Sequence, residues 1–281
     1  SARGIDVQLF HRLKNARLNL SRNTKILAGV ILVPFLCIGS NLYYQTHVLN
    51  DVWSKSEQQS YRSDYEKKLK QYEYKPQPSI VAADIILELY PDNRSYDLDG
   101  AYILKNEATS PITEIHVQKQ IASDITLTDL RFSESIRADS QHVDFDYFIY
   151  HLDNPLASGD SLTMSFTQAL KPQGYNTGGS VGPVLGNGTF IRNNEFPTLG
   201  YNRKYELGDD SEREQYGLTP SPSKASIDNI NELKVARSGS DSHGIRTNIT
   251  IGTSADQTAV TSGNLIRNWK QDNRNYFEYQ S

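Results

Sequence analysis

The chain has almost no sulfur: of its 281 residues, one is cysteine and one is methionine. With Cys37 alone, neither an intrachain disulfide framework nor a cysteine metal site can form. The six histidines, His11, His47, His116, His142, His151 and His243, show neither H-E-x-x-H nor any two-histidine helical spacing, so no metal set is expected. The glycine-rich run GGSVGPVLGNG matches neither a P-loop nor a dinucleotide fingerprint and reads as a surface loop. No nucleophile elbow or catalytic triad is suggested by spacing. A basic excess is missing too, since the net charge is −4, which argues against nucleic acid as a partner. The catalytic and metal assignments read from the residues are therefore none.

What the chain does have begins with Ile26 to Tyr44, ILAGVILVPFLCIGSNLYY, 19 residues without a charge. That is about the length a helix needs to cross a hydrocarbon core. Ile26, Leu32, Phe35 and Tyr44 are expected to span the membrane, with lipid as their partner. Pro34 is tolerated in such helices, and Tyr43 and Tyr44 sit where interfacial aromatics sit. Residues 1–25 carry six basic side chains against Asp6, a net +5, which leaves −9 for the remainder. By the positive-inside rule the tail is cytoplasmic and the acidic body extracytoplasmic. A signal peptide and a buried core helix are the rival readings; a 25-residue head is long for the former, and Gly39-Ser40-Asn41 is its nearest cleavage site.

Residues 51–75 read as a charged helix with Tyr61, Tyr65, Leu69 and Tyr72 on one face, ended by Lys75-Pro76-Gln77-Pro78. It is expected either as a short stalk or as a helix lying on the following domain. From Ile80 the period becomes two. Ile85, Leu87 and Leu89 alternate, Pro91-Asp92-Asn93-Arg94 turns, and YDLDGAYILK returns. Further strands are expected at 112–119, 124–132, 142–152 (Val143, Phe145, Tyr147 and Ile149 inward), 160–170, 245–252, 257–262, 264–270 and 275–280. DDSEREQYG reads as a short capped helix, and a second is expected near 227–235. With 17 Tyr and 9 Phe to bury, the fold class is mainly β: an antiparallel sandwich or saddle-like sheet after one transmembrane helix and a short stalk helix. The divisions are 1–25 basic segment, 26–44 span, 45–78 helix and linker, and 79–281 β domain. Asp144 and Asp146 could share a strand face as paired acids in a carbohydrate-active protein, though a solvent face explains them equally.

FPTLGYNRKYEL, Phe196 to Leu207, resembles a block in the N-terminal β domain of zinc aminopeptidases of the aminopeptidase N class. The bacterial branch in which an ABC-2-type permease and such a peptidase share one polypeptide is the most similar. RLKNAR, DYEKKLKQYE, IILELYPDNRSYDLDGAYILKN, NGTFIRNNEFPTLGY and RTNITIGTSADQTAV with NYFEYQ complete the ordered set, which covers nearly all of the chain. The resemblance implies zinc in a following catalytic domain, bound by H-E-x-x-H and a downstream Glu, with a G-x-M-E-N strand beside it. This chain contains neither motif, so it is expected to be inactive alone and to form one wall of the cleft. The implied partners are the catalytic domain, permease segments, an ABC ATPase subunit and a peptide substrate, at a bacterial inner membrane. In the family a Gln ahead of the Phe-Pro block anchors the substrate amine. Here the equivalent stretch is Asn187-Gly188-Thr189, a substrate-binding set without that Gln. The alternative is a membrane-tethered binding module for periplasmic peptides, without peptidase activity.

Overall fold

The computed structural model describes residues 21–49, 53–121, 124–174, 182–221, 228 and 244–281. Helix α1 (Arg22–Tyr43) begins where Ser21, in extended backbone, accepts the Thr24 N–H on its hydroxyl. It runs on through a π turn, Tyr44–Val48, in which the Thr46 hydroxyl donates back to Leu42 O at 2.7 Å. No residue of α1 is buried. Ile26, Leu32, Phe35 and Tyr44 are 56%, 54%, 69% and 50% exposed, so none is a core residue. The 27-residue stretch Arg22–Val48 is long and apolar enough to cross a membrane, and a signal sequence would meet the same criterion.

The body opens with helix α2 (Lys55–Leu69), started by a reciprocal capping box between Ser54 and Glu57. A 3-10 turn, Lys70–Tyr72, finishes it ahead of Pro76. Strands β1 (Ser79–Tyr90) and β2 (Ser95–Lys105) form a hairpin over Pro91–Asn93, with Arg94 left-handed at φ 53°. Then come β3 (Ile112–Gln118), β4 (Ile125–Phe132), β5 (Ile136–Asp139), β6 (Tyr147–Leu156), β7 (Ser161–Leu170) and β8 (Thr198–Leu199). Helix α3 (Asp210–Gln215) is capped by Asp209 and closed by Gly217 at φ +70°. Strands β9 (Arg246–Ser254), β10 (Asn264–Gln271) and β11 (Arg274–Gln280) complete the chain.

Two sheets result: β10-β11-β9-β1-β2-β7-β4 and β5-β6-β3-β8. Every pairing is antiparallel except β1 with β9, which runs parallel with Ile85 opposite Ile249 and Leu87 opposite Ile251. Alternation does its work across the hairpin: Ile85, Leu87, Leu89, Leu98, Tyr102 and Leu104 all face one core with Ile115, Val117, Met164 and Phe166. Gly100 is small because the Phe166 ring lies over it, where a Cβ would come within 2.4 Å of Cζ.

Of the two placements open to α2, the structure has the packed one. Tyr65 and Leu69 are fully buried against Phe145, Tyr147 and Ile149, flanked by Tyr61, Tyr72, Tyr201 and Tyr205. Other expectations need correction. The strand expected from 142 begins only at Tyr147: Val143–Phe145 is a 3-10 turn, Asp146 is left-handed at φ 52°, and Val143 is 44% exposed. Residues 257–262 form a loop rather than a strand, because side chains take up its carbonyls: Asn275 Nδ2 donates to Ala255 O and Gln257 O, and the Tyr279 hydroxyl to Ala259 O. The helix expected near 227–235 lies outside the described residues, apart from Asp228.

Candidate functional site

The uncovered part of the larger sheet carries a cavity of about 1000 Å³. Its floor is the inward face of β1 and β9: Ile85, Leu87 and Leu89 beside Ile249 and Ile251. Period-two alternation on two neighbouring parallel strands is what makes that floor apolar. Two loop segments form its lips, 186–191 and 256–262, and the segment Phe196–Thr198 closes one side.

The first lip is folded by Gly188 N–H to Leu185 O and Phe190 N–H to Pro183 O. The second is tied down by Asn275 and Tyr279, as above. Gln257 joins them: its Oε1 accepts from the Thr253 hydroxyl at 2.9 Å, and its Nε2 donates to Gly186 O at 3.3 Å. Both lips present apolar side chains to solvent, Phe190 at 71% and Val260 at 79% exposure. Among the described residues, Asp256 carries the only charged side chain in the lining.

The expected triplet Asn187, Gly188 and Thr189 lies in this lining, with Asn187 and Gly188 exposed. The hydroxyls of Thr189 and Thr198 are both buried and have no partner among the described residues. A buried hydroxyl left unbonded costs free energy, and with almost no accessible surface neither of these two atoms is open to a ligand in the cavity as it stands. Beside the wall, Glu195 is 8% exposed, and burial pushes its carboxyl above its ordinary value. Its backbone carbonyl accepts from Gln168 Nε2 at 2.7 Å, which fixes the approach of the Phe-Pro segment. Sequence reading missed Gln257 and Asp256. Their signal is a contact between loops some 70 residues apart, which no local pattern carries.

The titratable cluster elsewhere is of a different kind. Under α2, Glu114 pairs with Lys75 and lies 3.1 Å from His116 Nε2 and 3.6 Å from His151 Nδ1. His116 Nδ1 is 2.7 Å from the Tyr147 hydroxyl, and the Tyr72 hydroxyl is 3.1 Å from His142 Nε2. These side chains pair with one another across a packed joint. Among the described residues no group of three or more His, Cys, Asp or Glu is arranged to hold a metal ion, so a zinc ion does not fit this chain's described residues. Nor do Asp144 and Asp146 form an acid pair: Asp144 sits in the 3-10 turn, and Asp146 turns back to Lys119 Nζ at 3.0 Å.

No family model matches the chain, and no curated protein matches it. Among solved structures, an M1 zinc metallopeptidase from Deinococcus radiodurans is similar at 12% identity and a TM-score of 0.40. A two-domain M1 zinc metallopeptidase mutant bound to L-tryptophan is similar at 11% identity, also at 0.40. In both, the alignment covers 73% of this chain and 39% of the other, so the chain spans well under half of those proteins.

Proposed function

We propose that this chain is the non-catalytic β domain of a membrane-anchored, aminopeptidase N-like zinc metallopeptidase fused to an ABC-type permease. In this reading α1 crosses a bacterial inner membrane with residues 1–25 in the cytoplasm and the β domain in the periplasm. Its polypeptide partners are the catalytic and permease parts of the parent and an ABC ATPase subunit. Zinc belongs to the parent's catalytic domain. One observation carries the proposal: the triplet Asn187–Thr189, which the sequence resemblance assigns to the substrate, lies in the cavity lining together with Asp256.

The chemistry suits the free end of a peptide. Apolar side chains settle on Ile85, Leu87, Ile249 and Ile251, while the ammonium group faces the Asp256 carboxylate and the Asn187 side-chain carbonyl. An ammonium–carboxylate hydrogen bond lost from such a site costs about 1.5–3 kcal/mol, or roughly a 10- to 150-fold rise in KM. The test is aminopeptidase turnover by the full-length parent, with and without chelator, in the natural form and as Asp256→Asn. Chelator-sensitive activity with a raised KM and little change in kcat supports the reading. Activity indifferent to chelation, or a KM that ignores the substitution, overturns it.

A second reading is a tethered peptide-binding module without peptidase activity. Its support is the absence of a Gln from the triplet. It predicts saturable peptide binding that needs Asp256, in a parent whose coding sequence contains no H-E-x-x-H.

A further inference from the structure

The two sheets have four edges, and three of them are blunted. β8 has two residues and β5 four. β4 is broken by a register shift between Thr128 and Arg131, with Asp129 at φ 50°. Short or bulged edges resist pairing with other chains. β10, eight residues long, has its own register shift between Leu265 and Arg267, but beyond it the strand pairs without interruption to Gln271, and seven of its residues are exposed. The eighth, Trp269, is half-buried, stacked on Tyr276 at 5.3 Å with the Arg267 guanidinium over its ring at 4.6 Å. A two-residue turn with Asp272 and Asn273 both left-handed, at φ 49° and 58°, pins the β10–β11 hairpin.

The direction of each backbone group on this edge follows from the ladder. Thr247 and Ser281 exchange both of their hydrogen bonds, so Tyr279, Phe277 and Asn275 of β11 also bond to β9. Arg274, Tyr276 and Glu278 therefore bond to β10, opposite Gln271, Trp269 and Arg267. Asn268 and Lys270 are left with their N–H and C=O directed away from the sheet. Along β10 stand two cations and no acid. Arg267 is paired with Glu278, whereas Lys270 has no acidic partner among the described residues. The turn's Asp272 accepts from the Gln271 amide.

We propose that the free edge of β10 takes up an extended acidic segment of another polypeptide by strand addition. The incoming backbone bonds to Asn268 and Lys270, and its carboxylates face the Lys270 ammonium. Like charges at Arg267 and Lys270 disfavour the same edge of a second copy. This inference stands apart from the peptidase reading, since β10 contributes nothing to the cavity.

The test uses the full chain in detergent micelles with two fluorescent peptides, one alternating Glu with Val and one alternating Lys with Val. Proline at position 268 removes an N–H that β11 does not use, so Asn268→Pro blocks addition and spares the hairpin. The Glu-Val peptide is expected to bind, about tenfold more weakly to Asn268→Pro and about threefold more weakly to Lys270→Glu, with Asn268→Ala unchanged. Lys270→Glu changes only an exposed, unpaired side chain, so its result holds even if the proline variant misfolds. Equal binding of the Lys-Val peptide, no binding of the Glu-Val peptide at about 1 mM, or indifference to both substitutions overturns the proposal. Self-association through the edge without peptide binding overturns it as well.

Discussion

The β domain is closed differently over its two inner surfaces. Over the smaller sheet lies a helix, and many of the polar groups there find one another, although the Tyr61 and Ser63 hydroxyls are buried without a partner among the described residues. Glu66, 3% exposed, receives Arg213 Nη1 and Nη2 at 2.8 and 2.7 Å, and the same guanidinium donates to Leu207 O and Thr219 O. Over the far part of the larger sheet lie only loops. There the floor stays apolar, two hydroxyls stay unbonded, and a cavity remains. A joint filled by packed side chains has little room to offer a ligand; a surface closed by loops, with a cavity left under them, does.

The sharpest way to break this contrast is Arg213→Ala. It leaves the buried Glu66 carboxylate only the half-exposed Lys70 ammonium at 3.2 Å, which costs about 3 kcal/mol, and thermal denaturation reads the loss. A change under 1 kcal/mol, about the worth of an exposed pair, would show that the helix-covered joint is no more demanding than a surface.

Acid comes next. Burial raises the Glu66 carboxyl, but the hydrogen bonds from Arg213 and Lys70 outweigh it and hold it below its ordinary 4.5. A depressed carboxyl contributes stability that is present above 4.5 and is lost as pH falls through the folded value. Burial also lowers His116 and His142 from 6.5, against the pull of Glu114 on the first and Asp139 on the second. Below 6.5 the unfolded chain takes up these protons first, so stability falls from there as well. Protection from hydrogen exchange, taken relative to the intrinsic amide rate at each pH, is therefore expected to fall in α2 and β6 before it does in β1 and β9 as pH drops from about 7 to about 4. The reverse order would remove the distinction between the two covers.

The smallest effect is Gln257→Ala, which unties the lips at a cost of about 1 kcal/mol. It is expected to leave melting nearly unchanged and to speed exchange at Phe190 N–H. Equal protection in both forms would mean that the lips do not depend on each other.

Much of this architecture was legible in advance because it is periodic. The hairpin of β1 and β2, the flanking strands and the capped α3 all follow from alternation, turn residues and an Asp ahead of a charged run. The buried face of α2 was legible for the same reason. What misled was pattern without context. Val143 and Phe145 alternate, yet they belong to a turn ended by left-handed Asp146. Pro155 reads as a breaker, yet β6 runs through it, because the ladder to β3 is shifted between Ile112 and Glu114 and gives position 155 no partner, so the N–H that proline lacks is not needed there. Strand direction leaves no mark on alternation, so the parallel pairing of β9 could not be read. The cavity was only half legible: the triplet at 187–189 was, but the opposing lip depends on Asn275 and Tyr279, side chains remote from the loop they hold.

The parallel pairing of β1 with β9 also sets a schedule. Glu88 meets Gly252, so two strands 164 positions apart must be present before the floor exists. A ribosome adding about 5–20 residues per second needs roughly 8–30 seconds to cover that distance. Through that interval the nascent chain carries Ile85, Leu87 and Leu89 on a strand with one unclaimed side. The cell must shelter that strand from neighbouring chains until its last partners emerge.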